Sequence, residues 1–125
     1  MTYLVFANEE SVDWHVEAGW LSELILSDWP DAEIQEPAPV DAESDGRGFH
    51  WMCVIGGSEV EAWLDKEGEC LYVDGEFDEV AILVAWFREK MSREVEFALC
   101  DDTYSFHVVI ENGASPRDII ESIPD

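Results

Sequence analysis

The sequence predicts an α+β fold in which helices pack against a mainly antiparallel sheet. Short apolar segments that alternate with polar residues recur along the chain, which is typical of strands. One longer segment, residues 77–91, repeats its apolar residues at three- and four-residue steps and predicts a helix. The chain has 125 residues, 47% of them hydrophobic, with six tryptophans. This is enough for one core, so we expect residues 1–125 to form a single domain.

The rest of the fold is organised around residues 69–100, which predict strand, turn, helix and strand. Residues 70–73 are apolar and β-prone, and an Asp-Gly pair ends them. Acidic residues begin the helix over 77–91 and basic residues end it, an order that suits the helix dipole. Residues 95–99 then alternate and predict a half-buried strand. The basic residues at or just beyond the helix end are Arg88, Lys90 and Arg93.

The N-terminal part predicts a strand, a helix and a short edge strand. Residues 3–7 are apolar at both odd and even positions, so both faces of the strand are apolar, which suits a central strand. A helix is predicted over 13–28, ended by Trp29-Pro30. Residues 32–35 follow as an edge strand before two prolines. The predicted buried stripe of this helix is Val16, Trp20, Leu21, Leu24 and Ile25.

The middle of the chain predicts an antiparallel meander. Residues 49–55 are apolar on both faces and predict a strand. Gly56-Gly57 predicts a turn, and residues 58–64 alternate apolar and polar side chains as a second strand. A second turn over 66–68 leads into the strand at 70–73.

The C-terminal part predicts a hairpin and a short helix. Residues 101–103 join the strand at 95–99 to a strand over 104–110. Ser115, Pro116 and Asp118 then fit the N-cap, first and third positions of a helix.

Charge restricts the function. Thirty acidic residues against six basic ones give a net charge of −24, which disfavours binding to nucleic acid phosphates or anionic membranes. From Asp28 through Asp45 the chain has seven acids and no base, its densest unbalanced charge. Two interpretations stay open. In the first, the acidity only aids solubility or reflects a salt-rich habitat, and residues 28–45 are a solvated linker. In the second, the acidic surface binds a basic partner.

Other classes receive little support. No apolar run approaches the roughly 20 residues that span a membrane, and the N-terminus lacks a basic signal region, which predicts a cytoplasmic protein. Three cysteines without close spacing do not indicate a disulfide framework or a zinc site. Residues 41–46 match the start of a calcium-binding loop, but its twelfth position is Met52 and a strand follows. We therefore predict no cofactor, no metal and no catalytic residues.

Exposed aromatic residues point instead to a protein interface. Trp63 lies on the glutamate side of its strand, and Trp29 borders the acidic stretch. Tryptophan is enriched in interface hot spots, although a helix or the other sheet face could cover these rings. The predicted partner-binding residues are Asp28, Trp29, Asp31, Asp41, Glu43, Asp45, Trp63, Asp101 and Asp102.

Three segments of the C-terminal half, residues 73–78, 85–88 and 99–105, resemble small acidic immunity proteins of bacterial polymorphic-toxin and contact-dependent inhibition systems. The resemblance implies a non-enzymatic protein that binds one cognate toxin and blocks its active site. Many such toxins are basic nucleases. The resemblance transfers no functional residue. Two alternatives stay open: a nucleic-acid mimic or anti-restriction protein, with carboxylates spaced like phosphates, and a small enzyme, with a deep polar pocket.

Overall fold

The structure is a computed structural model that describes residues 2–7, 17–35, 47–65, 70–91, 93–103 and 105–123. These residues form a seven-stranded antiparallel sheet and three helices, which confirms the α+β prediction. The strands are β1 (Thr2–Ala7), β2 (Glu33–Gln35), β3 (Arg47–Ile55), β4 (Ser58–Asp65), β5 (Cys70–Asp74), β6 (Phe97–Asp101) and β7 (His107–Ile110). The helices are α1 (Ala18–Asp28), α2 (Phe77–Lys90) and α3 (Pro116–Ser122).

The strand order is β2-β3-β4-β5-β1-β6-β7, and all neighbours pair antiparallel. β1 lies between β5 and β6, so its prediction as a central strand is confirmed. The predicted meander is β3-β4-β5, and β2 forms one edge of the sheet as expected. The β6–β7 hairpin forms the other edge.

The core lies between one face of the sheet and the helices. Alternate residues of the strands, such as Val5 and Leu71, are fully or almost fully buried in one cluster with the apolar stripe of α2. Phe87 of α2 packs edge-on against Phe97 of β6, with ring centroids 6.1 Å apart. The predicted helix face of α2 is confirmed, since Val80 and the other members of its central stripe are buried. We call this side of the sheet the helix-covered face and the opposite side, which none of the three described helices covers, the helix-free face.

Two burial predictions were wrong. Trp20 was expected in the buried stripe of α1 but is 45% exposed, because α1 buries the narrow line of Leu21 and Ile25. A half-buried strand was expected over residues 95–99, but the strand runs from Phe97 to Asp101 and is buried along its whole length. It is flanked by β1 and β7, and its residues on the helix-free face, Ala98 and Cys100, are small.

The C-terminal elements are fixed by side-chain hydrogen bonds. The Ser115 hydroxyl accepts the Asp118 N–H at 3.1 Å, and the Asp118 carboxylate accepts the Ser115 N–H at 3.0 Å, which confirms the predicted capping box. Arg88 of α2 is buried, 3% exposed, and donates to the carbonyls of Ile110 and Val95 at 3.1 and 2.9 Å. Arg88 therefore joins the end of α2 to the sheet. None of the helices in the described part of the chain has the length and apolar character to cross a membrane.

Candidate functional site

A groove of about 430 Å³ lies between the turn that follows α1 and the edge of the sheet at β2, β3 and β4. Its apolar lining includes Trp29, Met52 and Val54. We call it the acidic groove, because none of the described residues that line it is basic. Its acidic residues are Asp28, Asp31, Glu33 and Glu59.

Local sequence explains how the groove forms. α1 ends at Asp28, immediately before Trp29-Pro30, and the chain turns through Asp31. The Ala32 N–H donates to the Trp29 carbonyl at 2.9 Å and closes this turn. The chain then enters β2, where Glu33 pairs with Met52 of β3. Residues 28–33 of the predicted acidic stretch therefore lie beside Met52 and Val54 of β3.

Asp28 and Trp29 also hold the fold together. The Trp86 indole N–H donates to Asp28 Oδ2 at 2.5 Å, and Lys90 Nζ lies 3.4 Å from the same oxygen. The hydrogen bond from Trp86 lowers the pKa of the Asp28 carboxyl, and the positive charge of Lys90 lowers it further. The ring centroids of Trp29 and Trp86 lie 4.7 Å apart. The contacts of Asp28 within the fold partly neutralise its charge, so the exposed acids Asp31, Glu33 and Glu59 dominate the charge of the acidic groove.

The helix-free face of the sheet carries a row of ring-bearing and apolar residues. The strand register aligns one residue from each of six strands, and four of the six carry rings. The rings of His50 and Trp63 stack nearly parallel, 5° apart in orientation, with centroids at 4.7 Å. We call this set the aromatic row. In sheet order it consists of His50, Trp63, Tyr72, Leu4, Cys100 and His107.

Acidic residues run beside the aromatic row. The register aligns Glu33, Met52, Glu61 and Asp74 across β2 to β5. These positions lie two residues along the strands from the aromatic row, a distance of about 6.4–6.8 Å. Glu61 Oε2 lies 3.2 Å from His50 Nε2, which joins the two rows. Since Glu33 and Met52 also line the acidic groove, the acidic groove and the helix-free face form one continuous surface.

The structure brings part of the predicted interface together. Asp28, Trp29 and Asp31 meet at the acidic groove, and Trp63 lies on the helix-free face. Asp102 is exposed in the hairpin turn between β6 and β7. The predicted residues Asp41, Glu43 and Asp45 lie outside the described residues.

Asp101 does not lie at the surface. Its side chain is 1% exposed and accepts hydrogen bonds from the Ser105 N–H at 2.7 Å and from the Ser105 hydroxyl. On β1, the residue opposite is the buried Tyr3. The Asp101 carboxylate therefore stabilises the hairpin and is not available to a partner, unlike its exposed neighbour Asp102.

Sequence reasoning missed several residues of this surface. Glu59 and Glu61 were visible as the polar side of β4, but nothing in the sequence aligned them with residues of other strands. Met52 and Asp74 join the surface only through the register of β3 and β5. Residue alternation reveals which residues share a face of one strand, whereas the pairing of strands depends on contacts between distant segments.

Neither Cys53 nor Cys100 is an activated thiol, and the described residues form no metal-binding group. Burial raises the pKa of the Cys53 thiol to about 11, and that of Cys100 is also raised by burial. Both thiols therefore stay protonated at neutral pH and are poor nucleophiles. Within the described ranges, no three His, Cys, Asp or Glu side chains are grouped closely enough to hold a metal ion.

Comparisons of the chain with family models, curated proteins and solved structures found no match.

Proposed function

We propose that this protein is a non-enzymatic immunity or inhibitor protein that binds a basic cognate protein toxin through the acidic groove. The observation that carries this proposal is the composition of the groove. The exposed acids Asp31, Glu33 and Glu59 line the groove together with Trp29, and no base is present among the described lining residues. A lysine or arginine side chain can pair with such carboxylates and contact an indole face.

Net charge supports a basic partner. At −24 the protein attracts cationic surfaces from a distance, and such steering raises association rates by factors of about 10 to 10³. Nucleases bind phosphates through lysine and arginine side chains, so a nuclease cleft is a suitable target for an acidic surface. The resemblance to acidic immunity proteins supports the same partner class.

Affinity capture tests this proposal. The wild-type protein is immobilised and exposed to lysate of its native host, and the captured proteins are identified by mass spectrometry. The groove variant carries Glu33→Gln and Glu59→Gln. The matched control carries Glu111→Gln and Glu121→Gln, which remove two charges that are also exposed, in the region of α3.

We expect one strongly basic protein to be retained by the wild type and the control and to be depleted on the groove variant. Expressed alone in a bacterial host, that protein should inhibit growth, and co-expression with the wild type should restore it. Capture of an acidic protein, or equal capture by the groove variant, would contradict the proposal. Capture of a non-toxic DNA-binding protein would favour a nucleic-acid mimic instead.

A further inference from the structure

The edge of β3 that pairs with β2 continues past the end of that pairing. β3 runs to Ile55, whereas its pairing with β2 ends where Glu33 lies opposite Met52. In the same register Asp31 would lie opposite Val54, but the chain at Asp31 is still in the turn that follows α1. The acidic groove lies between this turn and Val54, so the groove borders the edge of β3 beyond β2.

The hairpin between β3 and β4 determines where the backbone groups of Val54 point. Gly56 and Gly57, with φ of 60° and 87°, form a two-residue loop, and Ile55 pairs with Ser58 around it. The pair that closes such a loop exchanges both of its backbone hydrogen bonds. Because bonded and non-bonded pairs alternate, the N–H and C=O of Ile55 point to β4, and those of Val54 point away from β4. The N–H and C=O of Val54 therefore face the acidic groove.

The turn beside the groove makes its own hydrogen bonds. The N–H groups of Trp29 and Ala32 donate to the carbonyls of Ile25 and Trp29 at 2.7 and 2.9 Å. Among the described residues, no backbone hydrogen bond joins this turn to Val54, whose side chain is 63% exposed. A strand edge with a donor and an acceptor in this position is where a segment of another chain can add to a sheet.

Charge determines which segment fits this edge. The side chain opposite Val54 would lie on the same face of the sheet, two residues along from Glu33 and across Val54 from Glu59 on β4. Both acids are exposed, so a lysine or arginine at this position can pair with them. A second copy of this chain, with a net charge of −24, is repelled here. A basic segment is therefore complementary to the edge.

We propose that the acidic groove receives an extended segment of the basic partner, which adds to β3 as a strand at Val54. The N–H of Val54 donates to a carbonyl of this segment, and the C=O of Val54 accepts from one of its N–H groups. A cationic side chain of the segment lies beside Glu33 and Glu59. That the segment belongs to a toxin rests on the proposed function, whereas the geometry of the strand edge does not.

Hydrogen exchange of the ¹⁵N-labelled full chain tests whether the edge is open. In the free protein the amide of Val54 should exchange at least about tenfold faster than the amides of Cys53 and Ile55, which bond to β4. Slow exchange of the Val54 amide in the free protein would overturn the inference, because another part of the chain or a second copy would then already pair with this edge. Sedimentation would distinguish these two occupants.

Short peptides test strand addition itself. The probe is Ser-Val-Arg-Val-Ser with both ends blocked, and Ser-Val-Glu-Val-Ser is the charge control. Two further forms of the probe carry one backbone N-methyl group, either on the arginine or on the second valine, and keep the same side chains and charge. Successive N–H groups of a strand point to opposite edges, so only one of these methyl groups lies between the peptide and β3.

We expect the probe to shift the amides of Glu33, Val54 and Glu59 and to slow exchange of the Val54 amide. Methylation of the arginine N–H should weaken binding about tenfold, whereas methylation of the valine N–H should change it by less than about twofold. The glutamate peptide should not bind. Because these comparisons vary the peptide, the fold of the protein is the same in all of them.

Equal effects of the two methyl groups, or binding without slower exchange at Val54, would overturn the inference, since side chains alone would then hold the peptide. Binding of the glutamate peptide would overturn the choice of a basic segment. Capture of a basic toxin that depends on Glu33 and Glu59 would stand in both cases. Conversely, failure of the capture experiment beside an alternating effect of N-methylation would reject the toxin and retain the strand addition.

Discussion

The Asp101 carboxylate accepts both the backbone N–H and the hydroxyl of Ser105 across the turn between β6 and β7. The hydrogen bonds from Ser105 keep the pKa of the Asp101 carboxyl below its ordinary value of 3.8. Asp102, the next residue, donates its N–H to the Thr2 carbonyl and leaves its side chain exposed. Two adjacent aspartates therefore have different roles, one within the fold and one at its surface.

Asp101→Ala should destabilise the protein at neutral pH. Because folding lowers the pKa of Asp101, its contribution is complete above pH 3.8 and is lost as the pH falls through the lower folded value. The difference in melting temperature between the wild type and the variant should therefore be constant from pH 7 to about pH 5 and shrink below pH 3.8. Thermal melts across this range measure it.

Asp102→Ala is the control for that experiment, since it removes the same side chain one residue further on. It should change the melting temperature little, or raise it slightly by reducing the net charge. Equal melting temperatures for the two variants at pH 7 would show that the Ser105 hydrogen bonds do not stabilise the hairpin.

Phe87→Ala should cost about 3–5 kcal/mol of unfolding free energy. The Phe87 ring is fully buried between α2 and the sheet and packs against Phe97, so its removal leaves a cavity. Ile82→Ala on the outer side of the same helix should cost much less, because that side chain is 38% exposed. Urea unfolding measures both, and similar losses for the two variants would contradict the placement of α2.

Arg88→Met should destabilise the protein by about 1–3 kcal/mol or more, because it leaves buried carbonyls without their donor. The guanidinium donates hydrogen bonds to the carbonyls of Ile110 and Val95 and to the side chain of Asn112. Its central carbon lies 4.9 Å from the centre of the Phe97 ring. Arg93→Met removes the same charge from an exposed position and should be nearly neutral. If Arg93→Met lowered the free energy of unfolding as much as Arg88→Met, charge and not hydrogen bonding would stabilise the end of α2.

Local signals were sufficient for most of the fold. The helix period of α2, the alternation of β4 and the capping residues of α3 are each contained in a short stretch of chain, and the structure has all three. The sequence could not show that Arg88 enters the core. Its position in the last turn of α2 suits the helix dipole, but its burial depends on Ile110 and Val95, which come from later parts of the chain.

The candidate site was less predictable, because it depends on strand order and register. Trp29 and Asp31 were identified from local charge and aromatic content, but Glu59 reaches the same groove only because β4 pairs with β3. Asp101 lies on the same face of β6 as the buried Phe97 and Leu99, because the strand continues to Asp101. The sequence analysis ended this strand at residue 99 and assigned both aspartates to the turn, so alternation was not applied to them.

The last prediction concerns three residues of the predicted acidic stretch. Asp41, Glu43 and Asp45 belong to the stretch from Asp28 to Asp45, which has seven acids and no base. Replacement of all three by serine, the loop variant, should leave the melting temperature close to that of the wild type, because charge in a solvated linker, as one interpretation of the sequence has it, contributes little to the fold. Association with the captured basic partner should become slower and less dependent on salt, since charges at the rim of an interface act mainly through electrostatic steering.

Stopped-flow or biosensor kinetics at several salt concentrations measure this effect. The groove variant with Glu33→Gln and Glu59→Gln provides the comparison. Charges that are buried and paired in the complex should raise the dissociation rate, at a cost of about 2–5 kcal/mol, whereas rim charges should lower the association rate. A loop variant with unchanged association rate and unchanged salt dependence would remove residues 41–45 from the interface. A loop variant with only faster dissociation would place them inside it, in direct contact with the basic side chains of the partner.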